Sequence, residues 1–120
     1  MNKITLYWLP HCSTCQKAAT FLKARKDVEI EYRDIKANPL SPAEVRDLAD
    51  LAGGPNEIFS RRARLYQSMG LANRNLTDDE ILDLIAHEYT FVKRPLLKIG
   101  RKVVSGFASE NYDKVLINNG

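Results

Sequence analysis

Two cysteines separated by two residues, in Cys12-Ser13-Thr14-Cys15, are the only thiols in the sequence. Such a pair can do two kinds of chemistry. In the first, one sulfur attacks an electrophile and the other resolves the adduct by closing a disulfide across one helical turn. In the second, the pair supplies half of a tetrahedral zinc site, with His11 and His87 as the available nitrogen donors. The zinc reading lacks a second ligand pair: His11 abuts Cys12 and His87 is remote in sequence. Redox chemistry without a metal is the expectation.

The surrounding residues must hold these sulfurs. Ile4, Leu6 and Trp8 alternate with Thr5 and Tyr7 as in a strand, which Pro10 stops just before Cys12. From Cys15, the positions Ala18, Ala19 and Leu22 recur with helical spacing, so an amphipathic helix is expected from Cys15 to about Lys26. Val28, Ile30 and Tyr32 alternate with Glu29, Glu31 and Arg33, giving a second strand and hence a βαβ unit with parallel pairing. Cys12 then lies beyond the carboxyl end of the first strand, where unpaired N–H groups and the helix dipole favour an anion. A cysteine so placed has a depressed pKa and is the expected nucleophile; Cys15 is the expected resolving thiol.

Residues from about 40 to 90 read as helical. Ser41-Pro42-Ala43-Glu44 and Thr77-Asp78-Asp79-Glu80 are capping boxes, followed by the stripes Val45, Leu48, Ala49, Ala52 and Ile81, Leu84, Ile85. Gly53-Gly54-Pro55 stops the first of these helices, and a segment with Leu65, Tyr66 and Met69 stops at Gly70. Beyond Arg94-Pro95, the runs Leu96-Leu97-Lys98-Ile99 and Lys102-Val103-Val104 flank Gly100-Arg101 as a hairpin. Gly106-Phe107 breaks it, and Ser109-Glu110 opens a last helix that buries Tyr112, Val115 and Leu116. The expected order is β-α-β, a helical insertion, then β-β-α.

At 120 residues with 44% hydrophobic and 28% charged residues, the composition is that of one globular domain. A net charge of +3 is too small an excess to imply nucleic-acid binding. Apolar runs are only a few residues long, so no membrane span is expected. The opening Met1-Asn2-Lys3-Ile4 does not read as an export signal, which makes the cytoplasm the expected compartment and a permanent structural disulfide unexpected. Basic residues cluster at Arg61, Arg62, Arg64 and again at Lys93, Arg94, Lys98, Arg101, Lys102. Most read as solvated surface, but Arg94 precedes a proline at a strand entry, where a fixed cation can steady a thiolate or oxyanion.

The run Cys12-Ser13-Thr14-Cys15-Gln16-Lys17-Ala18, the Arg94-Pro95 pair and Gly106-Phe107 resemble the arsenate reductase-like family that includes the Spx regulators, over nearly the whole chain. The resemblance implies an α/β thioredoxin-like fold with a mixed sheet, forming a single domain over residues 1–120 with a helical insertion at about 40–90. It implies that Cys12 is the redox-active cysteine and that Pro95 is a cis-proline facing it, which brings Arg94 near the sulfur. The arsenate reductases of the family grip the oxyanion with a set of arginines. Arg94 matches one, Arg61 or Arg62 another, and the third falls at Phe107, whose ring donates no hydrogen bond to an oxyanion.

The expected site is therefore Cys12, Cys15 and Arg94 as catalytic residues, with Arg62, Pro95, Ser13 and Thr14 binding substrate. Two functions follow from the resemblance. One is an arsenate reductase-like thiol–disulfide oxidoreductase with no resident cofactor, reduced by glutathione or a small protein thiol. The other is a Spx-like redox-sensing regulator that contacts RNA polymerase without turnover, with the Gly53-Gly54 turn as a contact by analogy, although a helix stop alone accounts for those glycines. Neither involves direct binding to nucleic acid or membrane.

Overall fold

The computed structural model describes residues 2–119. Four strands form one sheet in the order β2-β1-β3-β4. β1 (Asn2–Trp8) runs parallel to β2 (Val28–Asp34), with Asn2 opposite Val28 and Trp8 opposite Asp34. On its other side β1 pairs antiparallel with β3 (Leu96–Ile99), Tyr7 lying opposite Leu96 and Ile4 opposite Ile99. β4 (Lys102–Ser105) completes the hairpin, and Gly100 carries a φ of 57° at its turn, a conformation that costs glycine little. The sheet is thus mixed and the fold is α/β, in agreement with the sequence.

α1 (Ser13–Lys23) crosses from β1 to β2. The apolar spacing starts this helix at Cys15 and extends it to about Lys26, whereas the structure makes Cys12 its N-cap and ends it at Lys23. Ser13 and Thr14 are exposed in the first turn and so add nothing to an apolar pattern. At the other end, Val28 must enter the sheet opposite Asn2, which leaves residues 24–27 as the connection. β2 is an edge strand: Val28 is buried, Ile30 half-buried and Tyr32 exposed.

Two compact units are formed, one from the residues up to Asn38 together with those from Arg94 onward, the other from Pro39–Lys93. The core of the first joins Ile4 and Leu6 of β1, Ala18, Ala19 and Leu22 of α1, and Leu97 and Ile99 of β3 to Tyr112, Val115 and Leu116 of α6 (Ser109–Asn119). Buried positions alternate along the strands and follow helical spacing on α1 and α6, so one side of the sheet is covered by both helices. Truncating any of the buried leucines to alanine is a change that typically costs about 2–5 kcal/mol.

The Pro39–Lys93 unit is helical but broken into short pieces: α2 (Pro42–Ala52), α3 (Pro55–Ile58), α4 (Arg64–Ser68) and α5 (Asp78–His87), with single 3-10 turns at Leu71–Asn73 and Tyr89–Phe91. Both capping boxes form. The Glu44 N–H donates to Ser41 Oγ at 3.1 Å and Glu44 Oε1 accepts from the Ser41 N–H at 3.0 Å, while Thr77 and Glu80 exchange the equivalent pair. Gly53, with φ 103°, ends α2 as its C-cap. Ala52 and Leu84, which the apolar spacing turns inward, are only half-buried, and α4 buries none of its residues: Leu65 is 38% exposed, and Met69 just after the helix 50%. Among the described residues no helix is long and apolar enough to cross a membrane.

The Ser41 cap yields a direct test. Ser41→Ala should lower stability by about 1 kcal/mol, seen as a lower urea midpoint at unchanged slope, and Ser41→Asp, which keeps an acceptor, should recover most of it.

Candidate functional site

The site grows from the carboxyl end of β1. After Trp8 the chain turns through Leu9 and Pro10, and the Cys12 N–H donates back to the Leu9 carbonyl at 3.1 Å. The Gln16 N–H donates to the Cys12 carbonyl at 2.9 Å, which is the first bond of α1. The Gln16 side chain then donates through Nε2 to the Pro10 carbonyl at 2.9 Å, tying the first helical turn to the loop. Cys12 is held in extended conformation (φ −80°, ψ 122°) with its sulfur at the amino end of the helix.

Both cysteines are free thiols, Cys12 half-buried and Cys15 fully buried. Burial disfavours the Cys12 thiolate, yet four other influences outweigh it: the Cys15 N–H, the Cys15 thiol, the Thr14 N–H and the charge of Arg94 hold the Cys12 pKa below its ordinary value. No side-chain hydrogen bond of regular geometry caps α1, so the two N–H groups act on the sulfur chiefly as oriented dipoles. Cys15 moves the opposite way. Burial, reinforced by the hydrogen bond with Cys12 and by its charge, pushes the Cys15 thiol up to about 12 against the pull of the Leu9 N–H and Arg94. One turn of helix thus carries two thiols whose pKa values are moved in opposite directions, Cys12 down and Cys15 up.

Arg94 reaches this pair from the other strand of the sheet's centre. It precedes β3, whose Leu96 lies opposite Tyr7, and the Arg94–Pro95 peptide bond is cis, as the resemblance implies. The guanidinium Nη1 is buried without a hydrogen-bond partner. A buried donor of this kind favours an anion, and the Arg94 charge acts on both sulfurs. Pro95 is buried, and its carbonyl accepts from the Gly106 N–H at 2.8 Å.

The remaining expected residues fall in different settings. Ser13 and Thr14 are exposed on the first turn of α1, Thr14 contributing its N–H to the Cys12 sulfur. Arg61 and Arg62 occupy a turn of the Pro39–Lys93 unit. There Arg61 donates to Asn56 Oδ1 at 2.8 Å and lies 5.5 Å from the centre of the Phe59 ring, while Arg62 is exposed. His11 is exposed, and His87 Nδ1 lies 2.7 Å from the Asp83 carbonyl within α5. Among the described residues no group of three or more His, Cys, Asp or Glu side chains could hold a metal ion. Phe107 packs against Phe21 at 5.6 Å and edge-on against Tyr112 at 5.0 Å, so its ring belongs to an aromatic cluster beside the core.

Two contributors carry no assignment in the sequence: the Leu9 N–H and the Gln16 clamp. A backbone N–H has no signature in residue type.

The sequence model of the ArsC family matches residues 7–115, and the chain belongs to that family. It is 31% identical to the uncharacterized protein YusI of Bacillus subtilis, over 92% of this chain and 96% of that protein. It is 30% identical to the global transcriptional regulator Spx 1 of Lactococcus lactis, over 87% of this chain and 81% of the regulator. A Streptococcus mutans structure described as a possible arsenate reductase matches with a TM-score of 0.77 at 30% identity, covering 94% of this chain and 99% of that one. The fold is the thioredoxin-like one that the motifs imply.

The asymmetry of the two thiols is measurable. Because the Cys12 pKa is lowered, its alkylation rate should rise with pH through a midpoint below that of a free thiol, while Cys15 stays unreactive through the same range. Arg94→Ala should move that midpoint upward, as read by mass-resolved iodoacetamide labelling of the native protein.

Proposed function

We propose that this chain is an arsenate reductase-like thiol–disulfide oxidoreductase of the cytoplasm, with Cys12 as nucleophile, Cys15 as resolving thiol and Arg94 as electrostatic support. The observation that carries the reading is two sulfurs in hydrogen-bond contact at the start of α1, their pKa values moved in opposite directions, with an unpartnered guanidinium nitrogen on Arg94. In the first step the Cys12 thiolate attacks one sulfur of a disulfide substrate. The substrate S–S bond breaks, and the released thiolate takes a proton from solvent. Cys15 then gives up its proton and attacks the Cys12 sulfur, expelling the second substrate thiol and leaving an internal Cys12–Cys15 disulfide. Two electrons pass from the pair to the substrate, and two thiols of glutathione or a small protein dithiol restore the reduced pair. Ser13 and Thr14 on the exposed first turn, with Pro95, are the groups assigned to the substrate.

A regulatory reading is favoured by one observation. At the position of the third oxyanion arginine stands Phe107, whose ring is committed to Phe21 and Tyr112, so an arsenate would lack one of its donors here. Together with the Spx relative, this supports a redox sensor that signals its dithiol state to RNA polymerase without turnover.

Turnover separates the two. Oxidation should remove two hydrogens from the parent mass and none from Cys12→Ser, and Cys15→Ser should accumulate a mixed disulfide with glutathione at Cys12. An oxidoreductase should reduce a disulfide or arsenate well above the rate of Cys12→Ser in a glutathione-coupled assay. Parent and Cys12→Ser rates that coincide, with oxidation altering affinity for RNA polymerase, would select the sensor; an internal disulfide that never forms would remove both.

A further inference from the structure

The β3–β4 register places Ile99 opposite Lys102 and Leu96 opposite Ser105, so the next pair outward is Pro95 with Gly106. The Gly106 N–H does donate to the Pro95 carbonyl, at 2.8 Å. A hydrogen-bonded pair in an antiparallel ladder ordinarily exchanges a second bond in the reverse direction. Here that bond cannot form, because proline has no N–H to give to the Gly106 carbonyl. The Tyr112 hydroxyl donates to that carbonyl instead, at 2.8 Å.

We propose that Tyr112 is a positioning residue for the thiol site: its hydroxyl stands in for the N–H that Pro95 lacks, and so fixes the strand entry that carries Arg94 against Cys12 and Cys15. The inference rests on the reading of Cys12 and Arg94 given above. Tyr112 is suited to the task by its own anchorage, since it is 0% exposed in the core and its ring is held edge-on by Phe107 at 5.0 Å and Phe21 at 6.0 Å. It also lies within electrostatic reach of Cys15: burial first, and the charge of Cys15 second, raise the pKa of its hydroxyl. Arg94 needs such support from its backbone, because Nη1 has no hydrogen bond to orient it. The chain of contacts therefore runs from α6 through the Gly106 peptide to Pro95 and on to the guanidinium.

Tyr112→Phe keeps the ring and removes the donor. Its Cys12 alkylation profile should move to higher pH, slowing labelling at neutral pH roughly threefold or more. In an Arg94→Ala background the same substitution should leave the profile where Arg94→Ala alone puts it, since both changes act through one group. A Tyr112→Phe profile that superimposes on the parent's, or an equal displacement with and without Arg94, overturns the proposal. A parent midpoint no lower than that of a free thiol would remove the oxidoreductase reading and this inference with it, whereas a depressed parent midpoint that Tyr112→Phe leaves in place removes this inference alone. Should Tyr112→Phe not fold, the parent supplies the test by NMR: a slowly exchanging Tyr112 hydroxyl proton with a contact to Gly106 is expected, and a hydroxyl in fast exchange with water overturns the proposal.

Discussion

The pairing of Tyr7 with Leu96 is the contact on which the site depends. β1 is flanked by both β2 and β3, and its two partners run in opposite directions. Antiparallel pairing brings the carboxyl end of β1 to the amino end of β3, so the loop that carries Cys12 and the entry that carries Arg94 arrive at one edge of the sheet. Had β3 paired in parallel, its entry would lie at the opposite edge and Arg94 with it. Parallel pairing with β2 supplies the other half of the arrangement, because it obliges α1 to begin at that same edge and present its amino end to the sulfur.

Two thiols three residues apart share a helix dipole and a nearby arginine, and still have their pKa values moved in opposite directions. Burial separates them. Cys12 sits half-exposed at the N-cap, where N–H groups and Arg94 outweigh desolvation; Cys15 lies inside the first turn, where desolvation dominates. In the proposed cycle this order reverses when it is needed. Once Cys12 is tied in a mixed disulfide, its charge and hydrogen bond no longer oppose ionisation of Cys15, and the Leu9 N–H and Arg94 remain to favour it. The resolving thiol is protected until its partner has reacted.

The aromatic cluster gives the site its character as much as the sulfurs do. Phe21 from α1, Phe107 from the segment after β4 and Tyr112 from α6 meet, Tyr112 edge-on to both phenylalanines and the two phenylalanine rings tilted at 58°, joining three elements beside the core. Phe107 thereby contributes packing at the position where the resemblance implies an oxyanion-binding arginine. In the proposed function, one guanidinium beside two thiols suits sulfur chemistry better than the grip on a tetrahedral oxyanion, which rewards several charged donors at once.

Local chemistry made much of this protein legible from sequence. Alternation at Ile4, Leu6 and Trp8, the two capping boxes and the Gly100-Arg101 turn each record a constraint satisfied within a few residues, and each formed as read. The C-x-x-C spacing by itself singled out the two cysteines that lie together at the start of α1. Less legible was the true start of α1, because Ser13 and Thr14 are solvent-facing residues that leave no mark on an apolar pattern. The inward turn of Leu84 and Ala52 was overstated, since helical spacing says which positions share a face but not how far a neighbour covers it. The direction of β3, the Leu9 N–H beside Cys15 and the Tyr112 hydroxyl at Gly106 were decided only by tertiary structure: each joins residues distant in the chain or uses a backbone group common to nearly every amino acid, and neither kind of contact is written in residue type.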